Sequence, residues 1–211
     1  MSAILEGTPD KKLALVTGRA YPEQAQETAK YLGTDVLETT AYDFANGEMY
    51  VRYTESVRGA DVFVLQSHYK PINKAIMEQL IMVDAMKRAS ARSITVVAPF
   101  LGYSRQDKKH QGREPITARL VANLLERAGV NRIITLDLHQ GQIQGFFDIP
   151  VDNLLGNPIF VDYYAKKFGD KCEDMMVVSP DVGSVARARA FAQKLHMQLA
   201  IVDKRRQKAN Q

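Results

Sequence analysis

Short runs of apolar residues alternate along the chain with longer segments in which apolar residues recur every three or four positions. The short runs are rich in valine, isoleucine and leucine and predict buried strands. They lie at residues 13–16, 62–65, 94–97, 133–135, 175–178 and 199–202. The longer segments predict helices at residues 22–32, 72–89, 116–128, 158–168 and 186–195. Strands that alternate with helices are typical of a parallel sheet covered on both faces, so the pattern indicates the α/β class.

One segment, residues 43–48 (DFANGE), interrupts this alternation. Asn-Gly between strand-like residues is a strong turn signal and predicts a β-hairpin. The tip of a hairpin projects its side chains into solvent, where Phe44 can stack on a base and Asn46 and Glu48 can meet the base's polar edge. The structural and the functional interpretation are compatible, and the residues alone favour neither.

The helix at residues 72–89 is apolar on several sides. Such a helix usually lies deep in a core, and the alternative is that one side contacts another subunit. With 211 residues, 45% of them hydrophobic and 25% charged, the chain can form one large or two small domains. Residues 153–158 read as a junction, so we expect a first domain over residues 1–155 and a second unit over residues 156–211.

Composition also restricts the cellular setting. No apolar run approaches the roughly 18 residues of a membrane span, and residues 1–10 lack an apolar signal region. Cys172 is the single cysteine, which fits a reducing compartment. From these observations we expect a cytoplasmic protein without a membrane partner.

The net charge of +4 comes with two local clusters of cations, in residues 105–113 and 204–208. Neither cluster is interleaved with aromatic residues, as grooves for single-stranded nucleic acid are, so small polyanions are better candidates than nucleic acid. A solvated surface is the ordinary interpretation of such runs. However, the first cluster follows a predicted strand and precedes a predicted helix, which places it at the sheet edge where α/β proteins bind ligands.

Two further polar residues follow predicted strands. His139 comes after the strand at residues 133–135, and Asp181 comes after the strand at residues 175–178. Each has a structural alternative, because a histidine can pack against a neighbouring turn and an aspartate can cap the next helix. The sequence holds no G-x-x-x-x-G-K-[ST] segment, so any nucleotide must bind by other means.

Five segments together resemble the ribose-phosphate pyrophosphokinases, also called phosphoribosyl pyrophosphate synthetases. They are FANGE at residues 44–48, YSRQD with the later REPI within residues 103–116, DLHQGQIQGFFDIPVD at residues 137–152, SPDVGS at residues 179–184, and KRR at residues 204–206. The resemblance implies a phosphoribosyltransferase-like first domain, residues 1–155, that carries ATP-binding loops. It implies that residues 156–211 are the first part of a second domain of the same type.

The implied reaction transfers the diphosphoryl group of ATP to the anomeric hydroxyl of ribose 5-phosphate and releases AMP. By the same resemblance, His139 and Asp181 bind Mg²⁺, and Lys204 and Arg206 belong to a catalytic loop that stabilises charge. The residues that match the ATP-binding positions are Phe44, Asn46, Gly47, Glu48, Arg105 and Gln106. Asn46 replaces the aspartate that is common in the family, and Ser184 replaces a second glycine.

An acidic Asp-Asp-x-x-Asp-Thr-x-Gly-Thr loop, which holds ribose 5-phosphate in the family, does not occur in the 211 residues. We therefore expect little or no synthetase activity from this chain alone. A non-catalytic nucleotide-binding or regulatory homologue that assembles with full-length subunits is the main alternative, and a simple phosphoribosyltransferase is a weaker one. Analogy further suggests a homohexamer, with phosphate or ADP as regulators at a site that Ser56, Arg58, Ser90 and Arg113 match.

Overall fold

A computed structural model of the protein describes residues 4–6 and 12–204. The chain divides into two compact units, Met1–Leu154 and Leu155–Gln211. Among the described residues, no helix is both long enough and apolar enough to cross a bilayer.

The described part of the first unit forms eight strands and three α-helices. In chain order they are β1 (Ile4–Glu6), β2 (Lys12–Thr17), α1 (Pro22–Leu32), β3 (Thr39–Asp43), β4 (Met49–Tyr53), β5 (Asp61–Leu65), α2 (Ile72–Arg88), β6 (Ser93–Ala98), α3 (Thr117–Ala128), β7 (Arg132–Leu136) and β8 (Val151–Leu154). Pro22 opens α1, and Gly33 ends it in a left-handed conformation, as these residue types do at helix ends.

Six of these strands form one sheet in the order β1-β2-β5-β6-β7-β8. The strand β1 is antiparallel to β2, and every other neighbouring pair is parallel. Thr17 pairs with Leu65, and Ala98 pairs with Thr135, so the carboxyl ends of the parallel strands lie along one edge. The predicted parallel sheet is confirmed.

The core of the first unit lies on both faces of this sheet. Val64 and Val96, in two central strands, are completely buried, as is Leu125 on the inner side of α3. The helix α2 is mainly a core helix, because Met82, Val83 and Met86 are buried, whereas Met77 is 51% exposed. Whether that exposed side contacts another subunit stays a prediction.

The strands β3 and β4 pair with each other as an antiparallel hairpin outside the main sheet, as Asn46-Gly47 predicts. Val51 and Tyr53 on one face of the hairpin pack against the core. The other face carries exposed aromatic side chains.

Two strands, β1 and β8, were not predicted. Val151–Leu154 forms β8, so Asn153, which the sequence suggests is part of a junction, pairs with Thr135 inside the sheet. This segment is short and contains two polar residues, and its strand character comes from pairing with β7. The strand therefore includes residues 153 and 154 of the expected junction, and the division between the two compact units follows directly, between Leu154 and Leu155.

The described part of the second unit forms two α-helices and two strands. They are α4 (Asn157–Phe168), β9 (Met176–Ser179), α5 (Val185–Lys194) and β10 (Gln198–Ile201). The two strands pair in parallel, and α5 packs against both of them. Met176 and Val178 on one face of β9 remain more than half exposed. An apolar groove lined by Phe160, Tyr164, Met175, Met176, Val177, Phe191 and Met197 adjoins these strands.

Candidate functional site

Loops from neighbouring strands meet at the carboxyl edge of the six-stranded sheet. Residues 99–116 follow β6, and Asp137 to His139 follow β7. The Leu136 amide donates to the Pro99 carbonyl at 3.3 Å, and the Gln142 side-chain amide lies 3.5 Å from an Asp107 carboxylate oxygen. The sequence-based expectation that these two loops share one edge is confirmed, and this edge is where open α/β sheets bind ligands.

The hairpin tip presents Phe44, Asn46 and Glu48 to solvent. The Gly47 amide donates to the Phe44 carbonyl at 2.9 Å, and the Phe44 amide donates to the Glu48 carbonyl at 2.8 Å. Gly47 has φ +90°, a conformation that glycine adopts at little cost. The Asn46 side-chain oxygen accepts from the Glu48 amide at 3.2 Å, so Asn46 stabilises the turn itself.

Arg105 and Gln106 lie in the loop after β6, and both are exposed. The Gln106 side-chain oxygen accepts from the Thr117 hydroxyl at 2.5 Å, at the start of α3. The Gln106 carbonyl accepts from the Ala118 amide at 3.2 Å. These bonds fix the backbone beside Arg105, whose side chain is open to solvent.

The tip of the same loop is folded around Glu114. Its carboxylate accepts from the backbone amides of His110 and Gln111, at 2.7 and 3.0 Å. These two hydrogen bonds lower the pKa of Glu114. Around this turn lie three exposed cations, Lys108, Lys109 and Arg113. The cation cluster therefore lies on a loop that hydrogen bonds hold in place.

His139 is exposed beyond the end of β7. The turn before it is fixed by two hydrogen bonds, from the Asp137 amide to the Leu154 carbonyl at 2.9 Å and from the Leu138 amide to the Asn153 side chain at 3.1 Å. Asp137 adopts φ +47°. The histidine is thus solvent-accessible rather than packed in the core, which leaves its imidazole available to a ligand.

A buried polar network lies at the carboxyl ends of β2 and β5, and sequence reasoning missed it. The Glu78 side chain is only 3% exposed and accepts from the Arg19 backbone amide at 3.1 Å, from the Arg19 guanidinium, and from the Gln66 amide at 2.6 Å. Gly18 makes room for this network, because a Cβ there would lie 2.3 Å from the Gln66 side chain. The available signal was a glutamate inside the apolar pattern of α2.

The network extends to the hairpin through Arg19. The Arg19 guanidinium lies 2.8 Å from the Asp43 carboxylate, and Lys74 pairs with the same carboxylate. Hydrogen bonds from Lys74 and Arg19 lower the pKa of Asp43. Asp43 directly precedes Phe44, so these ion pairs connect the end of β3, next to the hairpin turn, to the edge of the sheet.

His68, which also follows β5, is a buried histidine with a fixed tautomer. The Gly102 amide donates to its Nδ1 atom at 3.0 Å, so Nε2 carries the hydrogen and donates to the Gln79 side-chain oxygen at 2.6 Å. Burial lowers the pKa of His68 to about 4. This neutral imidazole holds the start of the cation-bearing loop against α2.

Of the predicted site residues in the second unit, Asp181 and Lys204 are described, whereas Arg206 lies outside the described residues. The Asp181 carboxylate accepts from the Ser184 amide at 2.8 Å and caps the short turn at Val182–Ser184. The capping interpretation of Asp181 is therefore confirmed, and its metal-binding role stays a prediction. Lys204 is exposed after β10.

The described residues contain no group of three or more histidine, cysteine, aspartate or glutamate side chains that could hold a metal ion. Mg²⁺ often binds through one or two protein ligands, substrate phosphates and several waters. In the first unit the exposed His139 offers one such ligand, and in the second unit the partly exposed Asp181 offers another.

Residues 13–129, more than half of the chain, match the family model for the N-terminal domain of ribose phosphate pyrophosphokinase. The chain belongs to the ribose-phosphate pyrophosphokinase family. The matched region contains the hairpin, the buried network around Glu78, and the loop that carries Arg105. The resemblance noted in the sequence is confirmed.

Relatives and a solved structure agree with this assignment. A ribose-phosphate pyrophosphokinase from Bifidobacterium longum is 68% identical over 195 residues, which cover 92% of this chain and 57% of that protein. The Streptomyces avermitilis enzyme of the same name is 59% identical, over 98% of this chain and 64% of its own. The crystal structure of phosphoribosylpyrophosphate synthetase from Mycobacterium smegmatis matches with a TM-score of 0.86 and 53% identity, over 92% of this chain and 64% of that one.

The chain thus spans about three fifths of the length of these relatives. Their names describe kinases that act on ribose phosphate, which are transferases. The shared α/β fold confirms the predicted fold class.

Proposed function

We propose that the chain is the ATP-binding part of a ribose-phosphate diphosphokinase. The reaction transfers the diphosphoryl group of ATP to the anomeric hydroxyl of ribose 5-phosphate and gives phosphoribosyl pyrophosphate and AMP. One observation carries this proposal. The loop that contains Arg105 and the turn that contains His139 lie at the same edge of the sheet, in a chain that matches the family model. Because the 211 residues span about three fifths of the length of the relatives, they should form little product by themselves.

ATP offers two kinds of surface to this edge. Its base can stack on Phe44, whose ring is 46% exposed, while the polar groups of Asn46, Gly47 and Glu48 lie within the same turn. Its phosphates suit the guanidinium of Arg105, because arginine binds phosphate oxygens through two parallel hydrogen bonds. The bonds from Gln106 to the start of α3 fix the backbone next to Arg105.

Mg²⁺ would be held by His139 and Asp181 together with ATP phosphates and water, and it would neutralise phosphate charge when bound. His139 supplies an exposed imidazole on a fixed turn, and Asp181 supplies a carboxylate oxygen. Magnesium prefers oxygen ligands, so the histidine contributes a weak or water-mediated contact.

Lys204 and Arg206 are the proposed catalytic residues. Phosphoryl transfer needs in-line positioning and neutralisation of the charge that develops on the transferring group, which cations supply without a covalent intermediate. Their substitution is expected to lower the rate of a competent enzyme far more than its affinity for ATP.

The proposal is tested by titrating the 211-residue chain with MgATP in a calorimeter and by measuring AMP release with ribose 5-phosphate. Arg105→Ala should weaken MgATP binding by about 10- to 150-fold, since a charge-assisted hydrogen bond contributes about 1.5–3 kcal/mol. Arg127→Ala is the matched control, because Arg127 is an exposed arginine in the last turn of α3. Equal affinities of the two variants would contradict the assignment of Arg105.

A second candidate is a non-catalytic nucleotide-binding homologue that assembles with full-length subunits. It predicts that the chain binds MgATP and co-purifies with a full-length relative, while the chain by itself releases no AMP. Release of AMP by the chain itself would exclude this candidate.

Phosphate or ADP regulation and a homohexamer are further proposals. The Gly59 amide donates to the Ser90 carbonyl at 2.9 Å and holds the turn at Ser56 and Arg58 beside Ser90, whereas Arg113 lies on the loop after β6. Loss of inorganic phosphate binding in Arg58→Ala would support the regulatory assignment. A light-scattering mass of six chains would support the hexamer.

A further inference from the structure

We propose that Tyr42 and Tyr50 position Phe44 for stacking on a nucleobase, so that the base-binding element is a three-ring cluster and not a single phenylalanine. The proposal deepens the function proposed above and rests on it. Tyr42 and Tyr50 lie outside the segments that carry the family resemblance.

The three rings are in direct contact. Tyr42 and Tyr50 are paired across the hairpin, and their rings stack with centroids 4.9 Å apart at an interplanar angle of 26°. Phe44 meets Tyr42 edge to face at 5.3 Å and 76°, and it meets Tyr50 at 6.3 Å and 79°. These are the geometries that aromatic pairs prefer.

The hairpin fixes which way the cluster faces. Side chains alternate between the two faces of a strand, so Tyr42, Phe44 and Tyr50 share the face opposite to that of Val51. Val51 and Tyr53 pack against the core of the first unit. The three rings consequently point away from the core, and each is between 36% and 46% exposed.

A phenylalanine at the tip of a hairpin would ordinarily lose side-chain freedom when a base binds, which costs affinity. Contact with two larger rings restricts the Phe44 side chain before the ligand arrives. Asp43, in the last strand pair before the turn, is fixed at the same time by its ion pairs with Arg19 and Lys74. The Phe44 ring is therefore already ordered when a base binds, and about half of the surface of Phe44 is open to solvent.

The chemistry of the cluster favours a nucleobase over a phosphate or sugar group. Aromatic side chains stack on the π-face of a base, and they offer no charge to a phosphate. The cluster should therefore contribute to the binding of ATP and not to that of inorganic triphosphate, which offers the phosphates without a base.

The test measures the affinity of the full 211-residue chain for MgATP and for magnesium triphosphate in a double-mutant cycle. We expect Phe44→Ala to weaken MgATP binding by about tenfold, in line with the effect of removing one stacking ring. Tyr42→Ala combined with Tyr50→Ala should weaken it by about three- to tenfold in the wild-type background and not further in the Phe44→Ala background. Triphosphate affinity should stay unchanged in every variant.

Two controls separate positioning from general damage. Tyr42→Phe with Tyr50→Phe keeps both rings and should bind MgATP as the wild type does. Tyr31→Ala removes a tyrosine that is 95% exposed on α1 and should also leave MgATP binding unchanged. Hydrogen exchange of the hairpin, residues 39–53, must stay as slow in the alanine variants as in the wild type.

Four results would overturn the proposal. The first is that removal of both tyrosines leaves MgATP affinity unchanged, and the second is that it lowers this affinity equally with and without Phe44. The third is that the hairpin unfolds in the alanine variants. The fourth is that binding is lost together with a change in the mass of the chain in solution. Failure of the wild-type chain to bind MgATP at all would instead defeat the proposed function, and this inference with it.

Discussion

The two units of the chain contain similar elements but bury them very differently. In the first, five parallel strands and the helices beside them enclose a core in which residues such as Val64 and Leu125 are completely buried. In the second, two parallel strands expose Met176 and Val178, and none of the residues of α4 is buried. Both units have the β-α pattern, so the pattern alone does not determine how much core is formed.

The difference follows from what a parallel sheet requires. Such sheets normally have both faces covered, because their strands are apolar on both sides. The first unit meets this condition with α1, α2 and α3, whereas α5 covers only part of the two-stranded sheet in the second unit. We therefore expect the first unit to determine the stability of the chain and the second to respond weakly to substitutions on its open face.

The largest effect is expected from Leu125→Ala in the first unit. This side chain is fully buried on α3, and truncation of such a leucine typically lowers the free energy of unfolding by about 2–5 kcal/mol. Its neighbour Leu124 is 43% exposed, so Leu124→Ala should change stability by no more than about 0.5 kcal/mol. Urea denaturation of both variants measures the difference, and equal midpoints would contradict the assigned core.

The pH dependence of unfolding should reveal the buried His68. Its pKa is lowered from 6.5 to about 4 in the folded chain, so between these values the unfolded chain binds more protons. The stability contributed by the neutral imidazole is complete above pH 6.5 and is lost as the pH falls toward 4, by roughly 3 kcal/mol at about 1.4 kcal/mol per pH unit.

Urea denaturation between pH 4 and 7 measures this loss. In His68→Gln the free energy of unfolding should change less with pH than in the wild type. His110→Gln, at an exposed loop position, should show the wild-type pH dependence. The same slope in wild type and His68→Gln would show that His68 does not titrate in this range.

A smaller effect is expected at Gly18. A methyl group there would overlap the Gln66 side chain and disturb its bond to Glu78, which should cost about 1–3 kcal/mol of unfolding free energy. At Gly112 an added Cβ would have no atom within 4 Å, and φ lies outside the left-handed region, so Gly112→Ala is the matched substitution. Thermal or urea unfolding compares the two variants. An unchanged free energy of unfolding in Gly18→Ala would rule out the close approach of Gln66 to Gly18.

The smallest effect is expected from Met176→Gln on the open face of β9. With 58% of the side chain exposed, the substitution should change the free energy of unfolding by less than about 0.5 kcal/mol. A loss of about 2 kcal/mol or more, as core truncations give, would show that another chain segment or molecule covers this face. That outcome would remove the contrast between the two units.

Much of the first unit could be predicted because its signals are local. The limits of α1 follow from Pro22 and Gly33, and the hairpin follows from Asn46-Gly47. The strand β8 could not be predicted, since its four residues become a strand only by pairing with β7.

The sequence could predict the position of a site residue when that residue directly follows a strand. It could not do so when the role of the residue depends on whether its side chain is buried. Arg105 and His139 could be placed at one sheet edge because both follow parallel strands. The network of Glu78, Gln66 and Arg19 could not, because a sequence does not show which polar residues of a helix face inward. Asp181 shows a further limit, since a capping and a metal-binding aspartate look alike in sequence.

Hydrogen exchange of the 211-residue chain with and without MgATP tests the central claim most directly, namely that the nucleotide binds at the carboxyl edge of the sheet in the first unit. The account predicts slower exchange at residues 39–53 and 99–117 and at the turn around His139, with no change in α1. Protection confined to residues after Leu155, or no protection at saturating MgATP, would contradict it.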